Sequence, residues 1–497
     1  MPVSNFHKNA QRIVYPAFDG GLNLSVPPES LNRNELKEAV NVEFSPTTGA
    51  MTVRGGLVWS GRFDSAVNGD MDYVLPVPGR RSFLVRPLGI PYLLYFRWNC
   101  IWTVSGMLSD LEDLSIAAWD DEFLIASGGR LQRFIDTGGL PRLETISGSP
   151  NRCRQVFVRN GRVGVVTEDD TLRFSAIGDC ETWENDPSDD SKGQYVEIGY
   201  KDGMNIDAVI PLSRDLIIFK SPQDEPDKGT VYRLTGEFPN WTVLEVAHNT
   251  GTYSSRSIQA LGNDVYYITP SGIASLSAVT NYGEIQTQWP DRKVSPALTR
   301  EMDNTAELWS VPAKQQLWIL PYRKAKKIWV FDYTRGIWTT FEFPQGLIHA
   351  VGFDNAVYIF MGRDLYRLED GYSVDDLKDE GKREIQATMR MGTLLGGSQL
   401  LVKGVFASFG LLPGCRAELW LGKFCMRFTG GGKIDYIYDA PNDTQMACED
   451  DDPLYPTGGT LTSRRQCIVR DWAITPEVKI YGGGCSLSTM GLETAEV

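Results

Sequence analysis

Histidine is scarce: His7, His248 and His349 are the only three in 497 residues. A Ser-His-Asp hydrolase needs one of them as its base, and no G-x-S-x-G elbow occurs in the chain, so each reads as structural. The eight cysteines are Cys100, Cys153, Cys180, Cys415, Cys425, Cys448, Cys467 and Cys485. They form no C-x-x-C pair and none stands beside a histidine at ligand spacing, which argues against a zinc site. Long hydrophobic runs are missing too. Tyr92–Phe96 and Ile328–Phe331 are strand-sized, so no membrane span is expected, and Met1 to Lys8 hold no apolar core of a signal peptide. The reading is a soluble chain, made in a cytoplasm with its thiols reduced, although the five cysteines after residue 414 leave late pairing open. Positive charge is in deficit: 49 Lys and Arg against 63 Asp and Glu give a net charge of −14 and a pI near 4.9. That balance argues against gripping nucleic acid in a basic groove.

What is present in quantity is aromatic and turn-forming: 13 Trp, 20 Tyr, 21 Phe, 49 Gly and 27 Pro. Bulky aromatics between many turn formers predict a β-rich chain of short strands. A hairpin recurs along it. Phe83-Leu84-Val85 leads to Tyr92–Phe96, Phe123-Leu124-Ile125 to Leu131–Ile135, and Val163–Val166 to Leu172-Arg173-Phe174. Leu216–Phe219 leads to Val231–Leu234, Val265–Ile268 turns at Pro270-Ser271-Gly272, Leu317–Leu320 precedes Lys327–Phe331, and Val357–Phe360 leads to Leu365–Leu368. Continuous apolar runs of this length mark strands buried on both faces. The starts at 83, 123, 163, 216, 265, 317 and 357 recur at the interval of a β-propeller blade, and six or seven blades are expected. A series of sandwich hairpins is the competing architecture.

The expected fold is therefore all-β. It comprises an N-terminal region over 1–75, a β-propeller over 76–373 and a β-sandwich-like C-terminal domain over 374–497. Asn34 is placed to cap a short helix over Glu35–Val40, and Ser295 to cap one over Ala297–Met302 that Pro296 opens. Asp375–Glu384 reads as a charged linker, followed by strand-like runs at Ile385–Met389, Leu400–Phe406 and Glu418–Phe428. Gly430-Gly431-Gly432-Lys433 lacks the phosphate-loop frame, because Ile434 follows the lysine, and reads as a hairpin turn. The acidic stretches Asp186–Asp190 and Glu449–Asp452 lack the ligand order of an EF-hand and read as solvated loops. Asp332 to Trp338 is similar to a sialidase aspartate box with longer spacing. Physically it is a turn, with Asp332 bonding the loop backbone, Gly336 at positive φ and Trp338 packing between blades. No catalytic, cofactor or metal residue is assigned.

Several segments resemble one family in order. They are Phe18-Asp19-Gly20-Gly21-Leu22-Asn23, Pro27-Pro28, Glu38-Ala39-Val40-Asn41-Val42, Gly49 and Arg54-Gly55-Gly56. Arg162–Val166, Leu172–Ser175 and Trp183 follow, then Gly272 to Ser295, Leu308-Trp309, Leu317–Pro321, Ile328–Asp332 and Gly336-Ile337-Trp338. This series resembles the tail hub or nozzle proteins of short-tailed bacteriophages, the packaged-DNA stabilization family. Its signature positions here are Gly20, Gly21, Asn41, Arg54, Gly55, Asp332, Gly336 and Trp338, all with structural roles. The resemblance implies a homohexameric ring in the virion tail, below the portal and bound to the tail adaptor protein. Such a ring would carry fibres or spikes and pass double-stranded DNA without sequence-specific binding. The segment after residue 374 resembles the family least. An acidic wall would repel phosphate rather than hold it.

Two other readings stay open. A propeller glycosidase would gather carboxylates and aromatics in a funnel. A lectin-like propeller would expose most of its tryptophans between blades, whereas a ring subunit would bury them.

Overall fold

The computed structural model describes residues 11–496 apart from breaks at 46–48, 64–69, 98–99, 137–138, 187, 190, 213, 224, 279–284, 354–355, 431–436, 440–443 and 447–460. The described chain is β throughout, with one α-helix, Ser295–Glu301. No helix among the described residues is long and apolar enough to cross a membrane. The chain gathers into two compact units. One holds residues 60–326 and 344–366; the other holds 1–59, 327–343 and 367–497.

The first unit is a β-propeller. Five four-stranded antiparallel sheets follow one another, beginning at Met71–Pro76, Ser115–Trp119, Gln155–Arg159, Asn205–Leu212 and Ile258–Leu261. The hairpins Glu307–Val311/Gln316–Leu320 and Leu347–Phe353/Ala356–Met361 take two further places. From Ser115–Trp119 onward the first strands of successive sheets lie side by side, and Leu347–Phe353 returns against Met71–Pro76. The architecture lies within the six or seven blades expected.

Each recurring hairpin of the sequence supplies the middle of a sheet. Ser82–Pro87, Glu122–Ala126, Arg162–Val166, Asp215–Ser221 and Asp264–Thr269 are all second strands, buried almost end to end. Their side chains fill the gaps between neighbouring sheets, as in the cluster of Leu84, Tyr95, Phe123, Ile125 and Phe134. Fourth strands are mostly exposed; Thr242–His248 has no fully buried residue. Apolarity on both faces in the middle and polarity at the rim is what radial packing of twisted sheets requires.

The second unit interleaves the two ends of the chain. Glu35–Val40 pairs antiparallel with Gln386–Met391, which continues through Pro476–Tyr481 and Arg416–Leu421 to Phe424–Thr429. A second sheet runs from Val42–Phe44 and Met51–Val53 through Ser486–Glu496 and Leu394–Gly410 to Leu461–Ile474, with Gln11–Tyr15 also on Ser486–Glu496. The C-terminal strands curve as a half-barrel sheet.

Four local expectations are corrected. Glu35–Val40 is a strand, not a helix: Leu36 and Ala39 are buried, and pairing to Gln386–Met391 overrides the helix preference of Glu, Leu, Lys and Ala. Asn34 caps nothing there; its amide donates to Asp19 Oδ1 at 3.0 Å. The helix near 295 exists and Pro296 lies in its first turn, but Ser295 is inside it, and Val294 at the cap position makes no side-chain bond. Asp375–Glu384 is no linker, since Val374–Leu377 and Gly381–Glu384 form a hairpin. Glu418–Phe428 is likewise two strands, turned at Gly422 with φ +62°.

Candidate functional site

Arg54 follows the strand Met51–Val53 and is 1% exposed. Its Nε donates to Asn41 Oδ1 at 3.0 Å, and Nη1 to the Gly55 carbonyl and Asp375 Oδ1, both at 3.0 Å. Nη2 donates to the Glu342 carbonyl at 3.0 Å and Asp375 Oδ2 at 2.8 Å. All five guanidinium N–H groups are thereby used, and the group lies 4.6 Å from the centre of the Phe343 ring. A buried ion pair stabilises only when its remaining donors and acceptors are met, and here they are: Asp375 Oδ1 also accepts from Leu57 N at 3.1 Å.

Asn41 completes the cluster. Its φ of 57° suits asparagine, and its N–H reaches the Thr340 carbonyl at 2.7 Å. Its side chain donates to the Gln386 carbonyl at 2.8 Å and accepts from Glu342 N at 2.8 Å. Gly55 is confined, since a Cβ would come within 2.3 Å of the Glu369 carbonyl oxygen. Gly21 has φ +62°, and a Cβ there would meet Ile337 Cγ2 at 2.5 Å; at Gly20 it would meet Glu35 Cγ at 2.6 Å. These positions are cradles for neighbouring chain.

The bonds of the Asp332 turn take the form read from the sequence, but Trp338 stacks within its own hairpin in the second unit and not between propeller blades. Asp332 Oδ1 accepts from Thr334 N at 3.0 Å, Thr334 Oγ1 at 2.7 Å and Arg335 N at 3.1 Å, and Gly336 has φ +70°. Trp338 is buried, stacked on Phe331 of the same hairpin at 4.7 Å. All eight signature residues therefore fall in the second unit. Asn41, Arg54 and Gly55 meet directly, Gly21 backs onto Trp338, and Asp332 and Gly336 shape the adjoining turn. None presents a nucleophile or a paired acid and base.

The propeller supplies the other candidate. A cavity of about 340 Å³ lies against its innermost strands, lined by residues 115–118, 155–158, 209–211, Ser255 and Ile258. No carboxylate lines it, and the Gln155 amide is occupied in both directions by the Val209 main chain. Around Arg256, which precedes the strand Ile258–Leu261, lies an ion network that no motif marks. Arg256 donates to Asp113 Oδ1 at 3.0 Å and Glu307 Oε1 at 2.5 Å, and Trp309 Nε1 donates to Glu307 Oε2 at 3.0 Å. Arg256 and Arg86 both lie over the Tyr73 ring, 4.5 and 5.1 Å from its centre. Burial, reinforced by Asp113, holds the Tyr73 phenol well above its ordinary range, and burial raises Glu307 against the pull of Arg256. The network ties sheets together; only spatial proximity reveals it.

The two described histidines lie in different surroundings. His349 packs edge-on against Trp309 at 5.4 Å, and burial, with Arg256 adding to it, pushes its pKa down to about 3. His248 is exposed, 3.5 Å from Glu245, and His7 lies outside the described residues. Asp186 and Asp189 each accept from a serine two residues on, Ser188 and Ser191. Residues 431–433 and Glu449–Asp452 lie outside the described residues. Among the described residues, no group of three or more potential metal ligands comes together.

No family model matches the sequence, and no curated protein matches it. Solved structures do resemble it. The WD40 β-propeller domain of Doa1 is 10% identical, with 63% of this chain and 96% of that one covered at a TM-score of 0.39. The Cps50 (Swd1) propeller domain of Myceliophteria thermophila is 8% identical, with 62% and 99% covered at 0.44. A gluconolactonase of Xanthomonas campestris is 12% identical, with 63% and 97% covered at 0.32. Likeness at this identity concerns the propeller fold alone, and enzymes and non-enzymes both occur among these neighbours.

Proposed function

We propose that the protein is a structural subunit of a phage tail nozzle or hub ring and not an enzyme. It would assemble as a homohexamer in the virion tail, line the DNA exit path below the portal and adaptor, retain the packaged genome and carry fibres or spikes. The observation that carries this reading is the use made of the signature residues. Positions spread from Gly20 to Trp338 come together in one unit, where all five guanidinium N–H groups of Arg54 and both ends of the Asn41 amide hold chain segments and hairpins. Such a cluster builds a rigid platform and offers no reactive group.

Burial of tryptophan favours a ring subunit over a lectin. Trp309, Trp318, Trp329 and Trp338 are fully buried, while only Trp59, Trp102 and Trp472 are exposed among the described tryptophans. The carboxylate-free lining of the propeller cavity disfavours a glycosidase. Negative-stain microscopy of protein recovered from its native particle tests the reading. Rings of about six subunits, with a hole wide enough for duplex DNA, are expected. A compact monomer from native assemblies that cleaves or binds glycan would overturn it.

A further inference from the structure

Cys415 and Cys485 lie far apart in sequence, yet their thiols are hydrogen-bonded to each other in the second unit. Cys415 directly precedes the strand Arg416–Leu421, and Cys485 directly precedes Ser486–Glu496. Leu412 engages both cysteines. Its carbonyl accepts from Cys415 N at 3.0 Å, and its own N–H points to Cys485 Sγ at 3.4 Å. The main chain at each cysteine is pinned as well: Gly430 N donates to the Cys415 carbonyl at 2.8 Å, and Val53 N to the Cys485 carbonyl at 2.7 Å. Gly482, at φ +118°, leaves the room the sulfur needs, since a Cβ there would come within 2.3 Å of Cys415 Sγ. Both side chains are buried, at 5% and 0% exposure, which excludes bulky reagents and favours small ones.

We propose that Cys415 and Cys485 form an oxidation site, a dithiol that a small peroxide converts to an intramolecular disulfide. Leu412 holds the two cysteines side by side, and the two thiols share this hydrogen bond. That contact brings Cys415 down to about 7, and the same contact together with burial pushes Cys485 up. Cys415, at 5% exposure against 0% for Cys485, is the sulfur a small peroxide reaches first and acts as the attacking thiolate. Its sulfur takes one peroxide oxygen, the O–O bond breaks, and hydroxide leaves a sulfenic acid behind. The Cys485 sulfur then attacks the Cys415 sulfur. The sulfenic oxygen departs as hydroxide, which the Cys485 proton converts to water. Overall the two thiols lose two electrons and two protons, and one peroxide becomes two waters. Among the described residues Cys153 and Cys425 have no thiol partner of this kind, and burial pushes both up to about 12, so they react late.

The test treats the folded full-length chain with a few equivalents of hydrogen peroxide, blocks remaining thiols by alkylation and maps peptides by mass spectrometry. Exposed Cys100 serves as an internal control for active oxidant. A cross-linked 415–485 peptide pair, two hydrogens lighter and released by dithiothreitol, is expected before oxidation at Cys153 or Cys425. In Cys485→Ser the cross-link should vanish and Cys415 should be trapped by dimedone as its sulfenic acid. Oxidised Cys100 alongside alkylated Cys415 and Cys485 would overturn the proposal. So would sulfinic acid at Cys415 without a cross-link, and the wild-type map decides even if the variant misfolds.

Discussion

Arg54 owes its effect to geometry more than to charge. A planar fork with five donors meets five acceptor atoms on four residues, and a lysine ammonium offers three donors from one point. Arg54→Lys keeps the charge yet strands Asp375 and the Glu342 carbonyl, so it should destabilise the fold by about 2–4 kcal/mol. Asp375→Asn should cost a similar amount by leaving the guanidinium buried and half-paired. Both are read from guanidinium unfolding midpoints, and wild-type midpoints would dismiss the cluster as a stabilising device. His349 makes a different prediction. Its folded pKa is lowered to about 3 from an ordinary 6.5. Between these values the unfolded chain binds more protons, so stability rises with pH across the window and is lost as pH falls from 6.5 towards 3. The slope contributed is at most about 1.4 kcal/mol per pH unit. In His349→Gln the fall of stability over that window should be shallower than in wild type. Identical slopes would show that the imidazole titrates normally.

Within each propeller sheet the strands carry unequal weight. Ile217 lies in a second strand, fully buried, and Ile217→Ala should cost about 2–5 kcal/mol through lost contacts and an unfilled space. Glu245 lies exposed in the fourth strand of the same sheet, and Glu245→Ala should change stability by no more than about 0.5 kcal/mol. Equal effects in thermal melts would contradict the radial gradient. The same gradient explains how much of the fold could be read from sequence. Second strands such as Arg162–Val166 are apolar on both faces and stand out as runs, which fixed the period. Fourth strands such as Gln194–Glu197 alternate weakly between buried and exposed, so no pattern marks them. Glu35–Val40 was misread because its partner, Gln386–Met391, lies hundreds of residues away and local preference points to helix. Asp375 was lost in an acidic stretch where nothing distinguishes the buried carboxylate from its solvated neighbours. The Asp332 turn was legible because all its bonds are local.

At the scale of the whole chain, two properties bear on assembly. A net charge of −14 should keep duplex DNA from binding, even at about 50 mM salt where phosphate contacts are strong. A gel-shift titration checks this, and salt-sensitive binding would conflict with a wall that lets DNA slide past. The second property is the interleaving of the two chain ends. Glu35–Val40 supplies an edge to Gln386–Met391, Gln11–Tyr15 pairs with Ser486–Glu496, and Arg54 binds Asp375. A fragment cut at 374, where composition changes, therefore loses at least three strand partners, Glu35–Val40, Gln11–Tyr15 and Met51–Val53, and leaves Asp375 buried without its cation. Open sheet edges and an unpaired buried charge each favour aggregation or unfolding. Residues 374–497 expressed alone should give no cooperative melt and poorly dispersed amide resonances. Residues 60–366 hold the described propeller sheets but lack the signature residues of 1–59, and should retain β circular dichroism. A folded 374–497 fragment would mean that the C-terminal strands stand alone, and that the N-terminal segments are additions to a complete domain.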